Sequence, residues 1–237
     1  MRILQRRWVR WLTVIVFLLA AVGLVGYQFF EPGWRYSVRG VDVSHHQGSI
    51  DWDALVADGT DFAYIKATEG GDWTDPMFGS NWQAAGKAGV LRGAYHFFTL
   101  CTPGVDQASH MIEVVPDEPG MLPPAVDLEF GGNCSERPIV EDFRNQLDSF
   151  LAAIESHYRM RPVVYTNPEF FNAYLDEQPP DVTWWIMSPV IEPWGSPEWT
   201  FWQSIPGFRE GVEGRVDRNV FRGDLSELVA LTGRTAP

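Results

Sequence analysis

The chain has 237 residues, 45% of them hydrophobic, enough for one domain of about 200 residues plus a short extra segment. All 31 acidic residues lie at or beyond Glu31, against 14 Lys and Arg there, so that part carries a formal charge of −17. Such a balance excludes electrostatic binding of DNA or RNA and provides no attraction to anionic lipid.

The extra segment comes first. Residues 11–30, WLTVIVFLLAAVGLVGYQFF, form an apolar run broken only by Thr13 and Gln28. As a helix it would rise about 30 Å, the thickness of a bilayer core. A cleaved signal peptide is the rival reading, but Tyr27, Phe29 and Phe30 stand where a cleavage site needs small residues. The expectation is therefore one transmembrane signal anchor. Arg2, Arg6, Arg7 and Arg10 make residues 1–10 a basic cytoplasmic segment, and the remainder would lie outside the cytoplasmic membrane.

After a linker over 31–37, β-rich segments are expected at 38–44, 61–68, 91–98, 123–130, 161–167, 183–189, 199–205 and 214–221. Helical segments follow the first five, at 52–58, 80–89, 105–115, 139–158 and 168–177. In the longest, Phe143, Leu147, Phe150, Leu151 and Ile154 recur at the spacing of one buried helical face. Past the sixth strand, Pro193, Gly195, Pro197, Pro206 and Gly207 leave no room for full helices, until a last one at 225–233. Strand–helix alternation argues for parallel strands with helices outside. The predicted fold class is α/β: a modified TIM-type barrel over 38–232, with five βα units and then three less regular strands, and a tail at 233–237.

In such barrels chemistry lies at the C-terminal strand ends. Those ends carry Asp42, Lys66 with Glu69, Tyr95, the pair Asp127 and Glu129, Tyr165, Trp202 with Gln203, and Asp217 with Asn219. Residues two apart on a strand share a face, so Asp127 and Glu129 are expected side by side. Close carboxyls raise one another's pKa and keep one protonated as an acid, which glycoside hydrolysis requires. Lys66 with Glu69 reads equally as a structural ion pair. Trp184, Trp185, Trp194, Trp199 and Trp202 are cleft or packing residues, about two of the five expected to face ligand.

A metal centre built on Asp42, His45, His46 and Asp127 is disfavoured, since adjacent histidines on an extended segment point opposite ways and no HExxH is present. No G-x-S-x-G elbow supports a serine triad. No cofactor is expected. Cys101 and Cys134 lie in the exported part, where an oxidising compartment permits one disulfide.

Eight motifs in register carry a resemblance: GVDVSHHQGSIDW (40–52), YIKATEG (64–70), DPMFGSNW (75–82), GAYHFF (93–98), PPAVDLE (123–129), VVYTN (163–167), FWQ (201–203) and VDRNVF (216–221). Together they resemble family 25 glycoside hydrolases, lysozymes that cut the N-acetylmuramic acid β-1,4 N-acetylglucosamine bond of peptidoglycan. The resemblance implies catalytic roles for Asp42, Asp127, Glu129 and Asp217, with Glu129 as proton donor. Lys66, Glu69, Tyr95, Tyr165, Trp202 and Gln203 would then bind substrate. It leaves open whether the substrate's acetamido group or a carboxylate attacks the sugar. The expected partners are peptidoglycan strands and, through the anchor, the lipid bilayer, the protein itself being a monomer. A non-catalytic glycan-binding barrel and a hydrolase of another N-acetylated glycan such as chitin are the alternatives. The segment WWIMSPVIEPWG (184–195) departs from the family's aromatic pattern at Met187 and Ser188.

Overall fold

The computed structural model describes residues 11–19, 22, 23, 35–177, 179–195 and 197–233. The basic segment, most of the linker, the end of the tail and residues 20, 21 and 24–30 of the apolar run lie outside the described residues. Residues 11–19 are helical and exposed. Among the described residues no helix is long and apolar enough to cross a membrane.

The strands are β1 (Val38–Val43), β2 (Phe62–Glu69), β3 (Trp73–Thr74), β4 (Leu91–Phe97), β5 (Ala125–Leu128), β6 (Val163–Thr166), β7 (Thr183–Met187), β8 (Phe201–Gly207) and β9 (Val216–Phe221). Their order is β1-β9-β8-β7-β6-β5-β4-β2-β3, and a β1–β2 pairing closes eight of them into a barrel. The pairs from β1 through β2, β4, β5, β6 and β7 to β8 are parallel.

Two features differ from the sequence-based expectation. The last strand is not parallel: β9 runs antiparallel to both β8 and β1. Only residues 208–215 connect β8 to β9, fewer than a parallel crossover needs. Asp217, near the start of β9, consequently reaches the same mouth as the ends of the other strands. The second difference is β3, a short antiparallel addition to β2 that pairs Trp73 with Glu69.

Alternation along the strands divides the core. One face of the strands, with Val41, Val43, Ala63, Ile65, Ala94, Val126, Leu128 and Val164, packs under helices that include Phe78–Ala88, Gly104–Val114 and Val140–Tyr158. The other face fills the barrel with Val38, Phe62, Tyr64, Ala125, Val163, Trp185, Phe201 and Phe221. Tyr64 stacks on Trp185 at 4.9 Å and donates its hydroxyl to the Pro123 carbonyl. Glycines make room for these rings, since a Cβ on Gly40 would meet Phe62 at 2.5 Å and one on Gly93 would strike Tyr64. The barrel floor is thus apolar and aromatic, and the polar side chains of the interior rows lie at the mouth above it.

Candidate active site

Continuing each interior-facing strand row toward the mouth brings in Asp42, Tyr95, Asp127, Tyr165, Trp185, Met187, Gln203 and Asp217. With Glu129, Pro189, Ser204, Ile205 and Pro206 they line a cleft of about 360 Å³. All four predicted acids converge here. Glu129 lies one residue past the end of β5, with its carboxyl hydrogen-bonded to the Asn167 side chain.

Asp42 is held by two arms. Its Oδ2 accepts from Gln203 Nε2 at 2.9 Å and from Asn219 Nδ2 at 2.7 Å. Each amide is itself oriented: Tyr165 donates its hydroxyl to Gln203 Oε1 at 2.8 Å, and the Trp185 indole donates to Asn219 Oδ1 at 2.9 Å. An indole N–H can only donate, so the Asn219 amide must present its NH2 to Asp42. Burial raises the Asp42 carboxyl, and these amide donors oppose the rise.

The other acids have less support. Asp217, the register partner of Asp42 across β1 and β9, is pushed up to about 8, first by burial and then by the Asp42 and Glu129 charges. Asp127 is raised well above the usual carboxylate range by burial, Glu129 and Asp42, with Lys66 opposing. Its Oδ1 is buried and has no hydrogen-bond partner among the described residues. Glu129 is raised by burial and by Asp42, with Lys66 and Asn167 opposing. Several acids crowded into one cleft hold their protons more tightly than isolated carboxylates do.

Lys66 pairs with Glu69 at 2.7 Å beside the cleft, its ammonium over the rings of Trp73 (5.0 Å) and Phe97 (4.8 Å). The pair is an ion pair as one reading had it, neither member lines the cleft, and the Lys66 charge opposes the rise of Asp127 and Glu129. Trp202, expected to meet substrate, is 2% exposed and faces away from the cleft, packed with Trp199, Val220 and Tyr36, and donating to the Ser188 carbonyl. Gln203, the next residue, lines the cleft, and Trp202 does not. Of the five tryptophans weighed, Trp185 lines the catalytic cleft and Trp194 a neighbouring one. Asn167 and Asn219, which hold two of the acids, were legible only as strand-end polar residues.

His45 and His46 depart from expectation too. They form a 3-10 turn capped by Ser44 and Gln47, with rings 4.0 Å apart instead of opposed. Buried Asp75 fixes His45 through its backbone N–H and Nδ1, both at 2.9 Å. Cys101 and Cys134 form the expected disulfide, with Cα atoms 6.4 Å apart, between the loops that follow β4 and β5.

A barrel of mainly parallel strands, with a carboxyl cluster and amide-held acid at one mouth, defines the class of a glycoside-cleaving barrel enzyme. Residues 41–205 match the profile of glycosyl hydrolases family 25. The chain belongs to that family and is a glycoside hydrolase. It is 35% identical over 223 residues to Lysozyme M1 of Streptomyces globisporus, covering 86% of this chain and 74% of the relative. Among solved structures, a family 25 glycosyl hydrolase from Bacillus anthracis is 36% identical with a TM-score of 0.78, covering 83% of this chain and 94% of that one. The bacterial lysozyme from Streptomyces coelicolor is 34% identical with a TM-score of 0.76, covering 84% and 99%.

Proposed function

We propose that the protein is a muramidase that cleaves the β-1,4 bond between N-acetylmuramic acid and N-acetylglucosamine of peptidoglycan. Glu129 is the general acid and Asp127 assists. Relatives named as lysozymes support the substrate class. The observation that carries the residue roles is the buried, unpartnered Oδ1 of Asp127. A buried polar atom without a partner costs about 1–3 kcal/mol, a cost that a substrate donor removes. The acetamido N–H of the sugar is such a donor.

With Asp127 on its nitrogen, the acetamido oxygen is aimed at the anomeric carbon. As it attacks, a carbon–oxygen bond forms, the glycosidic bond breaks, and the Glu129 proton passes to the leaving oxygen. Water then opens the cyclic intermediate and returns a proton to Glu129. Asp42, clamped by two amides, is poorly placed to act as nucleophile and serves as fixed negative charge beneath the developing cation. Protonated Asp217 limits the net charge of the cluster.

The apolar run over 11–30 and the arginines before it support a second part of the reading, that the enzyme is tethered to the cytoplasmic membrane with its barrel outside. The full-length protein should then stay with membranes through a high-salt wash.

Digestion of purified peptidoglycan by the segment from residue 34 onward, followed by muropeptide analysis, tests the activity. New reducing ends on muramic acid are expected. Ends on glucosamine alone, or none, would refute the reading.

A further inference from the structure

Glu129 stands just past the last residue of β5, and Gly131 and Gly132 follow it at once. Glycine gives the backbone more freedom than any other residue, so a proton donor beside such a loop needs a restraint from elsewhere. Asn133 supplies one. Its Nδ2 donates to the Glu129 carbonyl at 3.0 Å and to the Phe98 carbonyl at 2.8 Å. Its Oδ1 accepts from the Leu100 N–H at 2.9 Å and the Cys134 N–H at 3.0 Å. Both amide donors and the carbonyl oxygen are thus committed to the loops that follow β4 and β5.

These bonds extend the sheet. The Phe98 N–H donates to the Asp127 carbonyl at 3.1 Å, and beyond that bond the Asn133 amide joins the carbonyls of Phe98 and Glu129, as a further rung of backbone would. The Cys101–Cys134 disulfide begins one residue later and ties the same two loops covalently. On the other side of Glu129, the Phe130 ring packs on Phe170 at 4.8 Å. Asn133 is not among the residues that line the cleft, so its effect on the chemistry passes through Glu129.

We propose that Asn133 is a positioning residue for the proton donor: it joins the loops after β4 and β5 and fixes the Glu129 backbone, so that the carboxyl stays beside the leaving oxygen. The assignment rests on the reading of Glu129 as general acid. Misplacing a reacting group by about 1 Å can cost 10²-fold in rate, so one amide at this junction bears on turnover.

The test measures release of reducing ends from soluble glycan strands by the full chain and its variants, at matched fold by circular dichroism. Asn133→Ala should lower kcat about 10- to 100-fold with KM within about twofold, because the cleft walls are untouched. Asn133→Asp keeps the acceptor for Leu100 and Cys134 but loses both donated bonds, and should lose nearly as much; it is read by the same criteria if the alanine variant does not fold. In a Glu129→Gln background, where no acid remains to be positioned, Asn133→Ala should cost less than about twofold more. A kcat within twofold of wild type overturns the assignment, and so does an equal fold-loss in both backgrounds, which is general damage to the barrel. A Glu129→Gln enzyme within tenfold of wild type overturns the reading of the acid itself, whatever Asn133→Ala does.

Discussion

Asn219 donates to Asp42 at 2.7 Å while its own carbonyl oxygen is held by the Trp185 indole, so one acid of the cleft is positioned through a two-step relay across β7, β9 and β1. Hydrogen bonds to charged groups contribute about 1.5–3 kcal/mol, and Asn219→Ala should therefore lower kcat/KM by roughly 10- to 100-fold. Trp185→Phe, which removes only the orienting donor, should cost about threefold to tenfold. Steady-state kinetics on soluble glycan strands separates the two. Equal losses would mean that the indole acts through substrate contact and not through Asn219.

Asp217 gives a stability signature. Its folded value of about 8 lies above the ordinary carboxylate value near 3.9, so between those limits the unfolded chain releases a proton that the folded chain keeps. Its contribution is full below about pH 4 and is lost as pH rises toward 8. The Tm of wild type should fall between pH 6.5 and 8, and Asp217→Asn should flatten that fall, each kcal/mol relieved being worth about 2–4 °C. Parallel curves for the two proteins would contradict the placement of the proton.

His96 has the opposite sign. Burial lowers it to about 3, and it is enclosed between Thr68 at 2.8 Å and Gln107 at 3.0 Å. Below its ordinary value near 6.5 the unfolded chain takes up a proton that the folded chain refuses, so stability falls as pH drops toward 3. His96→Gln should be less stable at pH 7 but show a shallower loss of Tm between pH 6 and 4. An unchanged slope would assign the acid sensitivity to other groups.

The disulfide closes a loop over a sequence separation of 33, for which chain entropy gives about 3–4 kcal/mol. Cys101→Ser with Cys134→Ser should lower Tm by roughly 5–10 °C. The bridged loops follow β4 and β5, close to Glu129, so kcat/KM should fall as well, by less than tenfold if the barrel alone places the acid. Thermal scans and kinetics of the double variant check both.

Much of this was legible in the sequence because the barrel is built from strong local patterns. Alternating apolar strands bounded by Gly and Pro marked all eight barrel strands, and two acids in an apolar run marked Asp127 and Glu129. Strand direction is not a local property. Yet the eight residues between Gly207 and Val216 were themselves a signal, too short for a parallel return. Trp202 lies in a separate cluster with Trp199, Val220 and Tyr36, a packing that depends on residues distant in the chain. The close approach of the His45 and His46 rings follows from the Ser44–Gln47 capping box, which turns the chain where extended geometry would have separated them. Asn167 and Asn219 were hard to single out because their importance lies in what they touch, and that depends on strands far apart in the chain.

The central claim is that Glu129 supplies the proton to the leaving sugar. Its most direct test is the rate of new reducing ends on muramic acid from purified peptidoglycan, compared between wild type and Glu129→Gln at matched fold by circular dichroism. A loss of about 10²- to 10⁴-fold is expected for a general acid. A Glu129→Gln enzyme that retains activity within tenfold of wild type would contradict the account.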